Sequence, residues 1–385
     1  MAKTKLCIVT HTFLPHVGGI ERVAYEQGKR LMRKNLDVTV LTSRMTQAKR
    51  YTYEGIPVRC YDSLSLGFRL GIPYPIPSIS SYKPFLEAVK ASRLIHAHGH
   101  PYLSSLLAAK LARRYRTPFV LTQHNTFIDY NGVWDKVERL NDLAVGTQVL
   151  KAAQRIITVS NATRNYVLSL GADADKVTVL HNGVDVDRFK PDPKMREETR
   201  RKLGIRPDEI VVLTVRRLVY KNGIDTFIDA AKAAVQKNPK AVFLSVGTGP
   251  DLSQVKTRIE QLQLGGNLRL AGFVSDAELP SYYNAADLFV LPSKSGEGLP
   301  LVGLEAMSCG LPVVATDVGG ISEVLTPSCG KLVPPDSPET MAEAVLDLAL
   351  KETVSLKEKV RANAVEMFGW DRNVERLAKL YEEFI

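Results

Sequence analysis

Cysteine is scarce in this chain of 385 residues. The four present, Cys7, Cys60, Cys309 and Cys329, show no CxxC spacing and stand in apolar or strand-like contexts. That excludes a disulfide-stapled scaffold and reads as buried thiols in a reducing compartment. Long apolar runs are also lacking. No stretch approaches the roughly 18 residues that a spanning helix needs, and the opening MAKTKLCIVT is too short for a signal-peptide core. The expectation is a cytoplasmic protein. The first strand–helix loop, HTFLPHVGG, lacks the GxGxxG spacing of a dinucleotide fingerprint. His96, His98 and His100 alternate, but no acid or fourth ligand accompanies them, so no metal is expected there.

What is present is an ordinary globular composition, 45% apolar and 24% charged, at a length that suits two or three domains. The net charge of +10 is unevenly placed. Residues 1–190 hold 27 Lys+Arg against 14 Asp+Glu, and residues 191–385 hold 24 against 27. A basic half of this kind suits an anionic partner such as a phospholipid surface or an acidic acceptor. Nucleic acid is not expected, because the bases are not interleaved with aromatics in a recognisable module. The proline-rich segment 62–82 fits no strand; it would expose Phe68, Leu70, Ile72, Tyr74 and Ile76 as an apolar surface.

Apolar strand-like runs alternate with helical periodicity along the whole chain. Strands are expected at 5–10, 37–43, 93–98, 118–124, 155–160 and 176–185, with helices at 20–34 and 102–115. Pro191, Pro193 and the charged run MREETRRK read as a linker. The pattern then restarts with strands at 210–215, 241–247, 268–273, 288–292 and 312–316 and helices between them, followed by helices at 338–350 and 371–384. The fold class is therefore α/β, with two doubly wound Rossmann-like domains facing a cleft into which strand C-terminal ends open. The domains are expected at 1–190 and 191–368, followed by a segment at 369–385.

The stretch Ser293–Glu323 carries the densest signal. Glu297 stands just before a helix that Pro300 can open and Gly310 can end, and Glu305 lies inside that helix among Leu301, Val302, Leu304 and Met307. A carboxylate so placed needs a hydrogen-bonding partner. Arg216, Arg217 and Lys221 follow the strand 210–215, where fixed cations such as Arg217 and Lys221 suit a diphosphate. Gly247-x-Gly249 reads as a tight strand-to-helix turn, and Gly18-Gly19 places flexible backbone at a helix start. His98, His100 and His124 stand at strand ends, and Asp185-x-Asp187 reads as turn chemistry rather than a metal motif.

Together GGIERV, ITVSNAT, NGVDVDRF, RRLVYKNGID, VGTGPD and EGLPLVGLEAMSCGLPVVATDVGGISEV resemble the retaining glycosyltransferases of family 4, which have the GT-B fold. The resemblance runs from about residue 5 to the C-terminus, with Glu297 and Glu305 as its specific part. It implies that a nucleotide-diphosphate sugar, UDP- or GDP-linked, donates a hexose to an acceptor hydroxyl without a metal or other cofactor. Glu297 then contacts the donor sugar, Glu305 the ribose, and the amides of Gly298, Leu299, Leu301 and Val302 lie by sugar and phosphates. Arg217 and Lys221 hold the leaving diphosphate, with Arg216 the alternative to Arg217 because many members space the arginine and lysine one residue further apart. Gly18, Gly19 and Gly247 join the donor site, and His124 stands beside the anomeric carbon. His98 and His100 are acceptor-side candidates, and the last helix crosses back to the first domain. Where many members have Phe-Gly after Glu-Gly, this chain has Leu299-Pro300. The basic half and the 62–82 segment extend the expectation to a glycan or lipid-linked acceptor at the inner face of an anionic membrane. The competing readings are a sugar-nucleotide epimerase or phosphorylase of the same fold, and a non-catalytic membrane- or anion-binding module.

Overall fold

A computed structural model describes residues 3–16, 18–64, 74–129, 132–351 and 354–385. The chain divides into two compact units. The first comprises Met1–Thr126, Asn131–Gly183 and Trp370–Ile385; the second comprises Phe127–Tyr130 and Val184–Gly369. The division thus falls at 183/184 rather than at 190.

In the first unit β1 (Thr4–Val9), β2 (Leu36–Ser43), β3 (Arg50–Tyr53) and β4 (Ile56–Tyr61) precede a short pair, β5 (Ser63–Leu64) with β6 (Ile76–Pro77). Then come β7 (Leu94–His98), β8 (Phe119–Gln123), β9 (Arg155–Thr158) and β10 (Val177–Val179). The main sheet runs β10-β9-β8-β7-β1-β2-β4-β3, and each pair is parallel except β3 with β4. Strands β7 and β8 are buried along their whole length, as expected for parallel strands covered on both faces. The hairpin β3–β4 turns at Glu54-Gly55, both at positive φ, and is absent from the sequence reading. Of the 62–82 segment, Phe68, Leu70 and Ile72 lie outside the described residues. Tyr74 and Ile76, expected to be exposed, are half-buried, and the Tyr74 ring meets Tyr102 edge-on at 5.3 Å.

The helix Trp370–Glu382 belongs to this first unit because its apolar stripe, Trp370, Val374, Leu377 and Tyr381, is buried there. Tyr381 shares a 2.6 Å hydrogen bond with His96 Nδ1. Asn373 donates to the His181 carbonyl at 2.6 Å, and Arg30 donates to Asp371 at 3.0 Å.

The second unit holds β11 (Ile210–Val215), β12 (Ala241–Val246), β13 (Leu268–Gly272), β14 (Leu288–Leu291), β15 (Val313–Thr316) and β16 (Gly330–Val333). Their order is β13-β12-β11-β14-β15-β16, with every pair parallel. The chain leaves β11 toward one edge and returns to its other side at β14. That reversal is a topological switch point, where the loops after β11 and β14 diverge and leave a crevice at the strands' C-terminal ends. The charged run expected as a linker is instead the helix Pro193–Lys202, capped by the Asp192 carboxylate on Met195 N–H. Arg196 and Arg200 both bond the Asp287 carboxylate, which also accepts the Val211 N–H at 2.7 Å. Buried charge paired in this way builds fold, not hinge.

Candidate active site

Four loops of the second unit meet at its switch point. Glu297, in the loop after β14, accepts hydrogen bonds from Arg216 Nη2 and, at 3.2 Å, from Ser293 Oγ. Arg216 and Glu297 are both largely buried, at 9% and 12% side-chain exposure. Arg216 also donates to Asn222 Oδ1 at 2.9 Å, and Asn222 in turn donates to the Arg217 carbonyl at 2.8 Å. Arg216 Nη1 is buried with no hydrogen-bond partner among the described residues. Arg217, the arginine expected to face the phosphates, is exposed. The strand ends at Val215 and the following turn rotates the two side chains, so Arg216 faces the crevice.

Burial alone would raise the Glu297 carboxyl, but the charges of Arg216 and Lys221, with the hydrogen bonds from Arg216 and Ser293, hold it below its ordinary value. Glu297 is thus an anion between two cations. Lys221 lies in the turn Tyr220–Asn222, and its carbonyl accepts the Lys294 N–H at 2.8 Å. Lys294 extends its ammonium to Asp225 at 2.7 Å and to Asp336, tying the Glu297 loop to the loop after β11.

Glycine lets these loops pack backbone on backbone. A Cβ on Gly247 would stand 2.0 Å from the Arg216 carbonyl oxygen, and one on Gly319 would stand 2.3 Å from that of Glu297. Both residues hold positive φ, so the close approach and the conformation each call for glycine. The Gly247 N–H is spent on the Gly272 carbonyl at 2.8 Å.

The helix after Glu297 begins at Leu301, with Pro300 one place before it rather than within its first turn, and runs to Ser308. Its N-cap provides no side-chain acceptor, and the first amides of a helix have no intrahelical partner, so those of Leu301 and Val302 suit an anion. Gly298 and Leu299 are buried, and the Gly298 carbonyl accepts the Gly320 N–H at 2.6 Å. Glu305, half-buried in the second turn, accepts a 2.8 Å hydrogen bond from the Tyr283 hydroxyl. Tyr283 is fully buried, and burial followed by the Glu305 charge pushes its hydroxyl well above the ordinary value, so it stays protonated and donates. Tyr283 is a site residue that sequence reasoning missed; no local pattern links it to a glutamate 22 positions on.

The first-unit candidates gather separately, at the ends of β1, β7 and β8. His98 Nδ1 and His124 Nε2 share a 2.8 Å hydrogen bond, with rings stacked at 5.1 Å. His98 Nε2 is buried without a hydrogen-bond partner among the described residues. Burial, joined by His96, His124 and His11, holds the His98 ring well below its ordinary value, and burial lowers His124 to about 3. Both are neutral near pH 7. His100 bonds Gln123 Oε1 at 2.7 Å and Asp142 Oδ1 at 2.8 Å, which leaves neither ring nitrogen for an acceptor. Beside Gly18, at the start of helix Gly19–Met32, the space is taken by the carboxylate of Glu21. Glu21 is buried, accepts from Thr12 Oγ1 and lies 3.7 Å from His11 Nε2. Gly19 has open space around it. Among the described residues no group of His, Cys, Asp and Glu is placed to hold a metal ion, and no helix is long and apolar enough to cross a membrane.

Comparison with known proteins finds matches to both units. The family model described as "Glycosyltransferase Family 4" matches residues 17–188, and that described as "Glycosyl transferases group 1" matches residues 195–367. A D-inositol 3-phosphate glycosyltransferase of Paenarthrobacter aurescens is 28% identical over 96% of this chain and 93% of its own. A putative teichuronic acid biosynthesis glycosyltransferase of Bacillus subtilis is 30% identical over 89% of this chain and 88% of its own. Among solved structures, Anabaena HepE in complex with UDP superposes with a TM-score of 0.81 at 20% identity, covering 99% of this chain and 100% of that one. At that identity the likeness speaks for the fold, two Rossmann-like α/β units of the GT-B class.

Proposed function

We propose, from the premise that this chain belongs to the family 4 glycosyltransferases, that it transfers a hexose with retention of configuration from a nucleotide-diphosphate sugar to an acceptor hydroxyl. The observation that carries the reading is the Arg216–Glu297 pair at the switch point, with Lys221 contributing to its field. In the proposed complex the unpartnered Nη1 of Arg216 and the Lys221 ammonium take the diphosphate oxygens, supplying the fixed positive charge that a leaving diphosphate requires. The amides of Leu301 and Val302 add the helix N-terminus. Glu297 orients the sugar, and Glu305, held by Tyr283, grips the ribose. The acceptor oxygen bonds to the anomeric carbon on the face that the diphosphate leaves, and the acceptor proton passes to a leaving phosphate oxygen.

UDP is the donor nucleotide supported by the Anabaena neighbour, which was solved in complex with UDP. A relative named for D-inositol 3-phosphate, together with the basic residues 1–190, supports an anionic or lipid-linked acceptor met at a membrane surface. The test is Glu297→Gln, assayed with a panel of UDP-, GDP- and ADP-sugars. Turnover is expected to fall about a hundredfold or more while the variant still gains thermal protection from the donor. Turnover near that of the wild type overturns the assignment.

A further inference from the structure

We propose that the outward face of helix Val133–Asn141, with the turn that follows it, docks on an anionic lipid bilayer. Trp134, Val137, Leu140 and Leu143 are exposed at 42%, 44%, 66% and 64%. They recur every third residue along Val133–Asn141 and the wider turn Asp142–Gly146, so each neighbours the next along a row that winds round the exposed side of the segment. Single exposed apolar residues are unremarkable in a soluble protein, but a contiguous ridge calls for a covering.

Charge selects the occupant. Lys136 and Arg139 are exposed on the same helix, and Lys151 is exposed just beyond it. Of the three acids along this stretch two are turned away, while Glu138 stays half-buried on the helix. Asp142 turns inward onto His100 and the Tyr166 hydroxyl, and Asp135 closes back on the Gly132 N–H at 3.3 Å. An apolar ridge rimmed by bases, in a half of the chain with 27 basic against 14 acidic residues, matches the boundary between acyl chains and anionic headgroups. Leu140 and Leu143 enter the acyl boundary, Trp134 sits at headgroup depth, and the bases meet the lipid phosphates. The proposal rests on the reading of a membrane-borne acceptor and adds the surface that would carry it.

The chain contains its own reporter. It has two tryptophans, and Trp370 is buried at 3% exposure, so a change in solvent-quenchable emission on adding lipid belongs to Trp134. The full-length protein is mixed with vesicles of phosphatidylcholine alone and of phosphatidylcholine with phosphatidylglycerol. The expected result is a blue shift and loss of acrylamide quenching with the anionic vesicles only, weakened by salt and lost in Trp134→Phe. Leu140→Glu with Leu143→Glu should lower vesicle affinity by roughly tenfold for each leucine removed, with thermal unfolding and donor hydrolysis unchanged. If that pair of changes disturbs folding, Lys136→Glu provides the milder variant, expected to weaken flotation at low salt. Absence of binding, binding indifferent to lipid charge, or flotation untouched by these variants overturns the proposal. So does a Trp134 signal that responds to protein concentration without lipid, which would mean that a second copy covers the ridge. Donor hydrolysis measured without vesicles is a separate readout, so loss of docking with hydrolysis intact sinks the surface and not the transferase reading.

Discussion

Replacing Arg216 with Ala tests the electrostatics of the candidate site most sharply. The change leaves Glu297, 12% exposed, without its main counter-charge. Two unit charges about 4 Å apart attract by about 4 kcal/mol at an effective dielectric of about 20. Removing one partner of a buried pair costs about 3–5 kcal/mol. Ser293 and Lys221 remain to hold the carboxylate, so a net loss of about 2–3 kcal/mol is expected, or roughly 5–10 °C in the midpoint of a unit of this size. Arg217→Ala, at an exposed position, should stay within about 0.5 kcal/mol of wild type.

The pH dependence has a definite sign. In the wild type the folded pKa of Glu297 is depressed, so its contribution is present above the ordinary carboxyl value and is lost as pH falls through the lower folded one. In Arg216→Ala burial dominates and the folded pKa rises, so the deficit is greatest near neutrality and shrinks as Glu297 protonates in mild acid. Adding Glu297→Gln should then recover much of the lost stability. The assay is thermal or urea unfolding of the two single variants and the double variant between pH 5 and 8. Additivity within about 0.5 kcal/mol, or equal losses for Arg216→Ala and Arg217→Ala, would refute the reasoning.

Two further outcomes follow from the same geometry. Tyr283→Phe removes the hydroxyl that orients Glu305; a hydrogen bond to a charged group contributes about 1.5–3 kcal/mol, so the donor KM should rise about tenfold or more with little change in kcat. A fall in kcat at unchanged KM would contradict the ribose assignment. In the first unit burial lowers His96, His124 and His11 to about 3 and His98 well below its ordinary value. The unfolded chain takes up protons on these rings as pH falls through about 6.5, while the folded unit does not. Stability should therefore fall with acidification, by about 1.4 kcal/mol per pH unit for each such ring. An unfolding midpoint that stays flat from pH 6.5 to pH 5 would show that the rings charge without unfolding.

Much of the architecture was legible because buried parallel strands announce themselves as short apolar runs, and IVVLTV and AVFLSVG could scarcely be anything else. The stretch around Glu297 and Glu305 was legible for a similar reason, since two carboxylates stood where the local pattern demanded burial. Arg216 and Arg217 were not separable, because strand alternation stops at Val215 and a turn sets the next side chains. MREETRRK looked like a linker because it is polar in every local window. Its role appears only when Asp287, some 90 positions away, is folded against it. The β3–β4 hairpin did leave a trace, as Tyr51, Tyr53, Ile56 and Val58 flank an Glu-Gly turn. For the histidines, the shared face of His96 and His98 follows from alternation, but Tyr381 and His124 as their partners do not.

The closing segment has a consequence for how the protein is made. The first unit is interrupted at Gly183 and resumes only at Trp370. Its core takes Val374, Leu377 and Tyr381 from that late segment, and Tyr381 completes the hydrogen bonding of His96. During synthesis the half that emerges first is therefore the half that must wait, for roughly 10–40 s at about 5–20 residues per second. The second unit, nearly continuous in the chain, can finish before it. A nascent first half with an open groove where that helix belongs is a natural client for chaperones, and loss of residues 370–385 would leave it in that state permanently.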